Sequence, residues 1–123
     1  HAFVDWNLVL NAQGGPNHVG NLCDAPVMCD VATGAVDVKL SYHYIGHFSR
    51  YLKPGAVRIG KTLYTAALEA CAFQNPDGGL ACVVLNRSAE AQPFTLRLKD
   101  QTCKLNAPAG SIQTVLIDAR EWQ

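Results

Sequence analysis

Asp5, Trp6, Asn7, Asn17, His18, Asn21 and Asp24 crowd one short stretch of the chain. Carboxylates can act as acids or bases, carboxamides both donate and accept hydrogen bonds, and an indole offers a broad apolar face. The stretch reads Asp5-Trp6-Asn7-Leu8-Val9-Leu10, then Gly14-Gly15-Pro16-Asn17-His18-Val19-Gly20-Asn21, then Asp24-Ala25-Pro26. An apolar strand opens into a loop dense in glycine and asparagine. A (β/α) barrel strand delivers side chains to a site at its C-terminal end in this way. Trp6 reads either as a pocket residue at a strand end or as a core tryptophan. Asn21 reads either as a ligand contact or as a loop asparagine bonding its own backbone. Asp24 reads first as an Asx-type turn before Ala25-Pro26.

The other chemistry-bearing residues carry less. His43 and His47 share a helix face at the spacing of a two-histidine metal site. No acidic residue stands between them as in a zincin helix, and no third ligand is evident, so they read as solvated or hydrogen-bonded helix histidines. No metal or cofactor is expected. Asn86-Arg87-Ser88 fits the glycosylation sequon but lies at a strand end, where it reads first as a turn. Tyr42, Tyr44 and Phe48 read as a packing stripe rather than a carbohydrate platform. The 5 cysteines are an odd number with no CxxC spacing, which argues against a closed disulfide framework and a structural zinc site. Cys71 and Cys82 flank a turn. They read as buried free thiols, with a bridge across the turn as the alternative.

Positioning falls to a recognisable series of elements. Residues 3–10 read as a buried strand and residues 11–26 as its loop. Val27-Met28-Cys29 and Val36-Asp37-Val38 flank Ala32-Thr33-Gly34 as a short hairpin. Tyr44, Ile45, Phe48, Tyr51 and Leu52 recur at helical spacing, predicting a helix over 41–52 with Ser41 as N-cap and Pro54-Gly55 as its stop. Gly46 inside that helix implies close packing on a neighbour. Strands follow at Ala56–Ile59, Leu63–Phe73, Leu80–Leu85, around Phe94–Leu98, at Cys103–Leu105 and at Ile112–Ile117. Asn75-Pro76-Asp77-Gly78-Gly79 and Pro108-Ala109-Gly110-Ser111 are turns. The all-apolar Leu80–Leu85 run belongs at the centre of a sheet, and the alternation from Phe94 gives one buried and one wet face. This spacing reads as a β-sandwich.

The 123 residues are 49% hydrophobic and 16% charged, with a formal net charge of zero. That balance is globular, and it lacks the electrostatic footprint of a nucleic-acid binder. No apolar run approaches the ~18 residues of a spanning helix, so no transmembrane segment is expected. A (β/α) barrel needs about 250 residues, so a whole one does not fit. The expectation is an α+β fragment that starts inside a strand, with the N-terminal barrel portion elsewhere.

Six motifs occur in order: Asp5-Trp6-Asn7-Leu8; Gly14-Gly15-Pro16-Asn17; Asn21 with Asp24-Ala25-Pro26; Tyr44-Ile45-Gly46-His47-Phe48-Ser49; Pro54-Gly55-Ala56-Val57-Arg58-Ile59; and Val83-Val84-Leu85-Asn86-Arg87-Ser88. Together they resemble the C-terminal part of the glucosylceramidase family, glycoside hydrolase family thirty. The resemblance implies the end of a (β/α)8 TIM barrel over 1–53, as final strand, active-site loop and helix. It implies an antiparallel β-sandwich over 54–123. It further implies a retaining β-glycosidase acting on glucosylceramide, β-1,6-glucan or a related β-glucoside, in a secreted or lysosome-like setting. Trp6 and Asn21 match residues that line the sugar pocket in that family. His18 stands where some members carry an aromatic residue, and Asp24 either structures the loop or reaches a ligand.

The family's acid/base and nucleophile glutamates lie on earlier barrel strands. A retaining glycosidase needs two carboxyl groups ~5 Å apart. Glu69, Glu90 and Glu121 all fall in or near sandwich strands, and one strand–loop unit cannot hold a carboxylate pair. The chain alone is therefore expected to be inactive. The competing reading is a non-catalytic β-sandwich module with a structural or carbohydrate-binding role.

Overall fold

A computed structural model describes residues 3–122, so the outermost residues of the ranges 1–53 and 54–123 lie outside the described residues. The chain forms two compact units, one running to Ile45 and one beginning at Gly46.

The first unit holds a small mixed sheet. Strand β1 (Val9–Asn11) runs parallel to β2 (Val27–Cys29), and β2 pairs antiparallel with β3 (Val36–Val38). The β2–β3 hairpin closes on Asp30. Its carboxylate accepts from the amides of Ala32 at 2.9 Å and Thr33 at 3.4 Å. Those bonds hold the Asp30 carboxyl below its ordinary range, the Ala32 amide contributing most. Gly34 takes the left-handed conformation the turn requires, with φ of 75°.

The expected buried strand over 3–10 is only partly present. Pairing is confined to Val9–Asn11, and Leu10 is buried while Phe3, Val4, Trp6 and Leu8 are exposed. A barrel strand is covered when neighbours flank it on both sides, and β1 has one partner among the described residues, β2.

Helix α1 (Leu40–Ser49) begins one residue before Ser41, so Ser41 is a helical residue and not the cap. Helical turns continue beyond Ser49, with the Leu52 amide donating to the Phe48 carbonyl at 2.9 Å. The close packing expected at Gly46 is absent: a methyl group there would meet no described atom within 4 Å. Phe48 and His47 make the contacts of this stretch instead.

The second unit is built from six strands: β4 (Val57–Ile59), β5 (Leu68–Gln74), β6 (Leu80–Asn86), β7 (Gln92–Leu98), β8 (Gln101–Ala107) and β9 (Ser111–Ile117). An antiparallel sheet of order β4-β5-β6-β9 faces the β7–β8 hairpin. Side chains alternate along a strand, so register assigns the faces. Leu68, Ala70, Cys82 and Val84 point to one face and pack with Phe94 of β7 and Ala107 of β8. Phe73, Ala81, Val83 and Thr114 point to the other. There Phe48 meets Phe73 edge-to-face with centroids 6.3 Å apart, and His47 Nδ1 lies 2.9 Å from Thr114 Oγ1.

The apolar β6 is central, as its composition requires, and the alternation of β7 matches its burial. Strand β5 starts at Leu68, not at Leu63. Register pairs β4 with Ala72–Gln74 only, and Thr65 Oγ1 accepts from the Ala67 amide at 3.1 Å. That local bond competes with extension of the ladder. Tyr64 stands 96% exposed in the irregular segment that results.

Cys71 pairs with Val83, and Cys82 with Ala72, so the two thiols lie on opposite faces and both are free. Burial pushes both thiols up, which leaves them protonated and inert. Among the described residues no helix is long and apolar enough to cross a membrane.

Candidate functional site

The loop between β1 and β2 is organised by Asn11. Its Oδ1 accepts from the amides of Gly15 at 2.8 Å and Gln13 at 3.1 Å. Its own amide donates to the Gly15 carbonyl at 2.7 Å, and its carbonyl accepts from Gly14 at 2.8 Å. The Ala12 amide then donates to Cys29 of β2, and the Cys23 amide to the Gly14 carbonyl. The two sides of the loop are thus stitched together at its base. The Gly15–Pro16 peptide is cis.

Gly14 cannot be replaced without moving this base. Its φ is 84°, and a Cβ there would lie 2.3 Å from the Cys23 carbonyl oxygen. The glycine therefore answers both a backbone conformation and a close approach. Sequence reasoning recognised the turn but missed Asn11. The available signal was an asparagine at a strand end ahead of Gly14-Gly15, where a carboxamide can bond the backbone two to four residues on.

Beyond this base the predicted residues behave differently from one another. Trp6 is 76% exposed; the amide of Trp6 donates to Asp5 Oδ1 at 2.8 Å, which turns the chain at that point. His18 and Asn21 are exposed, and their side chains make no hydrogen bond among the described residues. Asn17 Oδ1 accepts from the Val19 amide at 3.3 Å, closing a small turn ahead of Gly20. Asp24 Oδ1 accepts from the adjacent Ala25 amide at 3.1 Å; an Asx turn proper would need the amide two residues on, which Pro26 lacks. Val19 and Leu22 are exposed beside them in sequence. The loop thus has a fixed base and carries the His18 imidazole and Asn21 carboxamide without hydrogen-bond partners among the described residues, while the Trp6 indole stands ahead of β1.

The glutamates occupy the second unit. Glu69 meets Arg87 at 3.3 Å on the surface. Glu121 closes a capping box around a 3-10 turn (Ala119–Glu121), accepting from the Asp118 amide at 3.1 Å. Asp118 is held down to about 2, first by the Arg120 side chain bonded to it. A groove of about 730 Å³ lies between this turn and Tyr51; of its cations, Lys53 pairs with Asp77 and Arg120 with Asp118, while Arg50 lies over the Tyr51 ring. His47 is a hydrogen-bonded helix histidine, and His43 packs edge-on against Tyr42.

Comparison with known proteins gives a consistent result for both units. The glycosyl hydrolase family 30 TIM-barrel domain matches residues 1–52, and the glycosyl hydrolase family 30 beta sandwich domain matches residues 55–115. Lysosomal acid glucosylceramidase of Mus musculus is 37% identical over 116 residues, covering 93% of this chain and 22% of that protein. The crystal structure of SrfJ from Salmonella typhimurium superposes with a TM-score of 0.86 at 39% identity, over 93% of this chain and 26% of that one. An endo-β1,6-glucanase superposes with a TM-score of 0.83 at 30% identity, over 92% of this chain and 26% of that one. The chain thus spans about a fifth to a quarter of the length of these relatives. Two domain descriptions of one family, in their expected order and together covering nearly every residue, place this chain in glycosyl hydrolase family 30.

Proposed function

We propose that the chain is the C-terminal portion of a retaining β-glycosidase of glucosylceramidase or β-1,6-glucanase type. In this reading residues 1–53 form the last strand, active-site loop and helix of the barrel, and residues 54–123 form the C-terminal sandwich. Both catalytic glutamates lie outside the chain, and the chain alone is inactive. Hydrolysis proceeds by double displacement, one glutamate acting as nucleophile and the other as acid and then base.

The observation that carries the reading is the β1–β2 loop: its base is fixed by Asn11 and Gly14, while Asn21 on it, and Trp6 in the segment leading into β1, are exposed with no side-chain hydrogen bond among the described residues. The Trp6 indole stacks on the apolar face of a pyranose, and the Asn21 carboxamide donates to and accepts from sugar hydroxyls. His18 extends this surface toward the sugar or aglycone. Asp24 serves first to hold the loop. The substrate is a β-glucoside, glucosylceramide or a β-glucan. The relatives support that range, since one is named a glucosylceramidase and another an endo-β1,6-glucanase.

Trp6→Ala and Asn21→Ala in the full-length protein test the assignment. Each is expected to lower kcat/KM for an aryl β-glucoside by about tenfold, the loss of ~1.4 kcal/mol of stacking or hydrogen bonding. Thermal unfolding of each variant, compared with wild type, separates a loss of binding from a loss of fold. Unaltered kcat/KM in both variants would remove them from the pocket.

A further inference from the structure

Asn86 is the largest fully buried side chain among the described residues, and it is also the acceptor position of the Asn86-Arg87-Ser88 sequon. Its Nδ2 lies within hydrogen-bond distance of three carbonyls, Glu90 at 2.7 Å, Pro108 at 2.8 Å and Ala107 at 3.0 Å, so its two hydrogens are shared among them. Its Oδ1 accepts from the Ser88 amide at 3.0 Å and from Ser88 Oγ at 2.8 Å. Gly110 in turn donates to the Ser88 carbonyl at 2.9 Å. The sequon therefore ties the β6–β7 connection to the β8–β9 connection, and both of its functional side chains are used in doing so.

We infer that this sequon is a modification site open only before the sandwich closes, so that N-glycosylation and folding of the second unit exclude each other. The transfer joins Asn86 Nδ2 to C1 of a lipid-pyrophosphate-linked oligosaccharide. The C1–O bond breaks, the lipid pyrophosphate leaves, and Nδ2 gives one proton to the transferase. The product keeps a single N–H where three carbonyls now converge. It also carries a bulky, polar glycan, a modification suited to a surface site. No exposed surface at Asn86 accommodates it. In the other direction, the folded protein withholds the attacking nitrogen and the Ser88 hydroxyl from any transferase. Ala107, itself fully buried in the inter-sheet core, supplies one of the three carbonyls. Completion of the β8 end is thus part of what shields the site.

Cell-free synthesis of the full-length protein behind a secretory leader, with microsomes present, tests this. Asn86→Gln identifies the band shift belonging to this site. The protease-resistant wild-type protein is expected to carry no endoglycosidase-sensitive glycan at Asn86. Ala107→Asp and Val84→Asp, which unseat the core on its two sides and leave the sequon intact, are expected to gain one glycan there. A glycan on Asn86 in the protease-resistant wild type would overturn the inference. So would two core variants that lose protease resistance and still remain unmodified, since burial would then not be what protects the site.

Discussion

At Asn86 one side chain shares its two N–H donors among three carbonyls and receives two donors, with none of its surface exposed. Removing it leaves the Ala107 carbonyl unpaired in the core and two part-buried carbonyls short of a donor, a buried unpaired acceptor costing about 1–3 kcal/mol. Asn86→Ala is therefore predicted to destabilise the fold by about 2–5 kcal/mol, read as a lowered urea midpoint at unchanged m-value. A change of under about 0.5 kcal/mol would show that the network contributes nothing net. Gly14 makes the parallel case in the loop. Gly14→Ala combines a left-handed φ with a contact to the Cys23 backbone that nothing can relieve. It should cost at least about 1–3 kcal/mol and lower kcat/KM in the full-length enzyme; wild-type activity and midpoint would contradict the close approach. The sequence marked Gly14-Gly15 as a turn and Asn86 as a strand-end residue. It did not reveal that Asn11 and Asn86 are the hubs, because a carboxamide's partners depend on which distant carbonyls the fold brings within reach.

Elements whose burial is set by their own period were legible. β6 is apolar from Leu80 to Leu85 and lies between two neighbours, and β7 alternates and shows one wet face. Boundaries set by partners were not. β5 begins where pairing with β6 begins, and α1 starts from the Pro26–Lys39 junction rather than from Ser41, with the Lys39 amide donating to the Pro26 carbonyl at 2.9 Å. The terminal 3-10 turn also escaped notice, although Asp118 and Glu121 have capping-box spacing. That turn yields a pH prediction. Arg120 and its backbone amide favour the charged form of Asp118, so the folded carboxyl titrates at about 2 against an ordinary 3.8. A depressed folded value stabilises above the ordinary carboxylate range, and that contribution is lost as pH falls from there toward 2. The Asp118 carboxyl resonance should follow a midpoint near 2 by NMR, moving up in Arg120→Ala. A wild-type midpoint at the ordinary value would contradict the pairing.

On the scale of the molecule, the two units differ in how far they are self-contained. The second has a core shared between two sheets, with a helix-borne phenylalanine on the outer face. The first leaves Phe3, Val4, Trp6, Leu8, Val19 and Leu22 exposed, with Leu10 and Ala25 as its buried apolar residues. Apolar surface on that scale marks a site of interaction, and a strand and loop belonging to a larger barrel would present it. The barrel-end and sandwich order was readable because six short motifs fall in register. The first strand is shorter than its apolar pattern suggests, because pairing and cover come from neighbours that the pattern of one strand cannot reveal.

If this loop serves a retaining β-glycosidase, as proposed, the configuration of the released sugar records it. The most direct measurement follows the anomeric configuration of the first-formed sugar by proton NMR, while the full-length protein hydrolyses an aryl β-glucoside or a β-1,6-glucan oligomer. The β-anomer is expected first, with slow mutarotation afterwards, and no hydrolysis by the isolated 123-residue chain. The α-anomer appearing first, or hydrolysis by the isolated chain, would contradict that proposal.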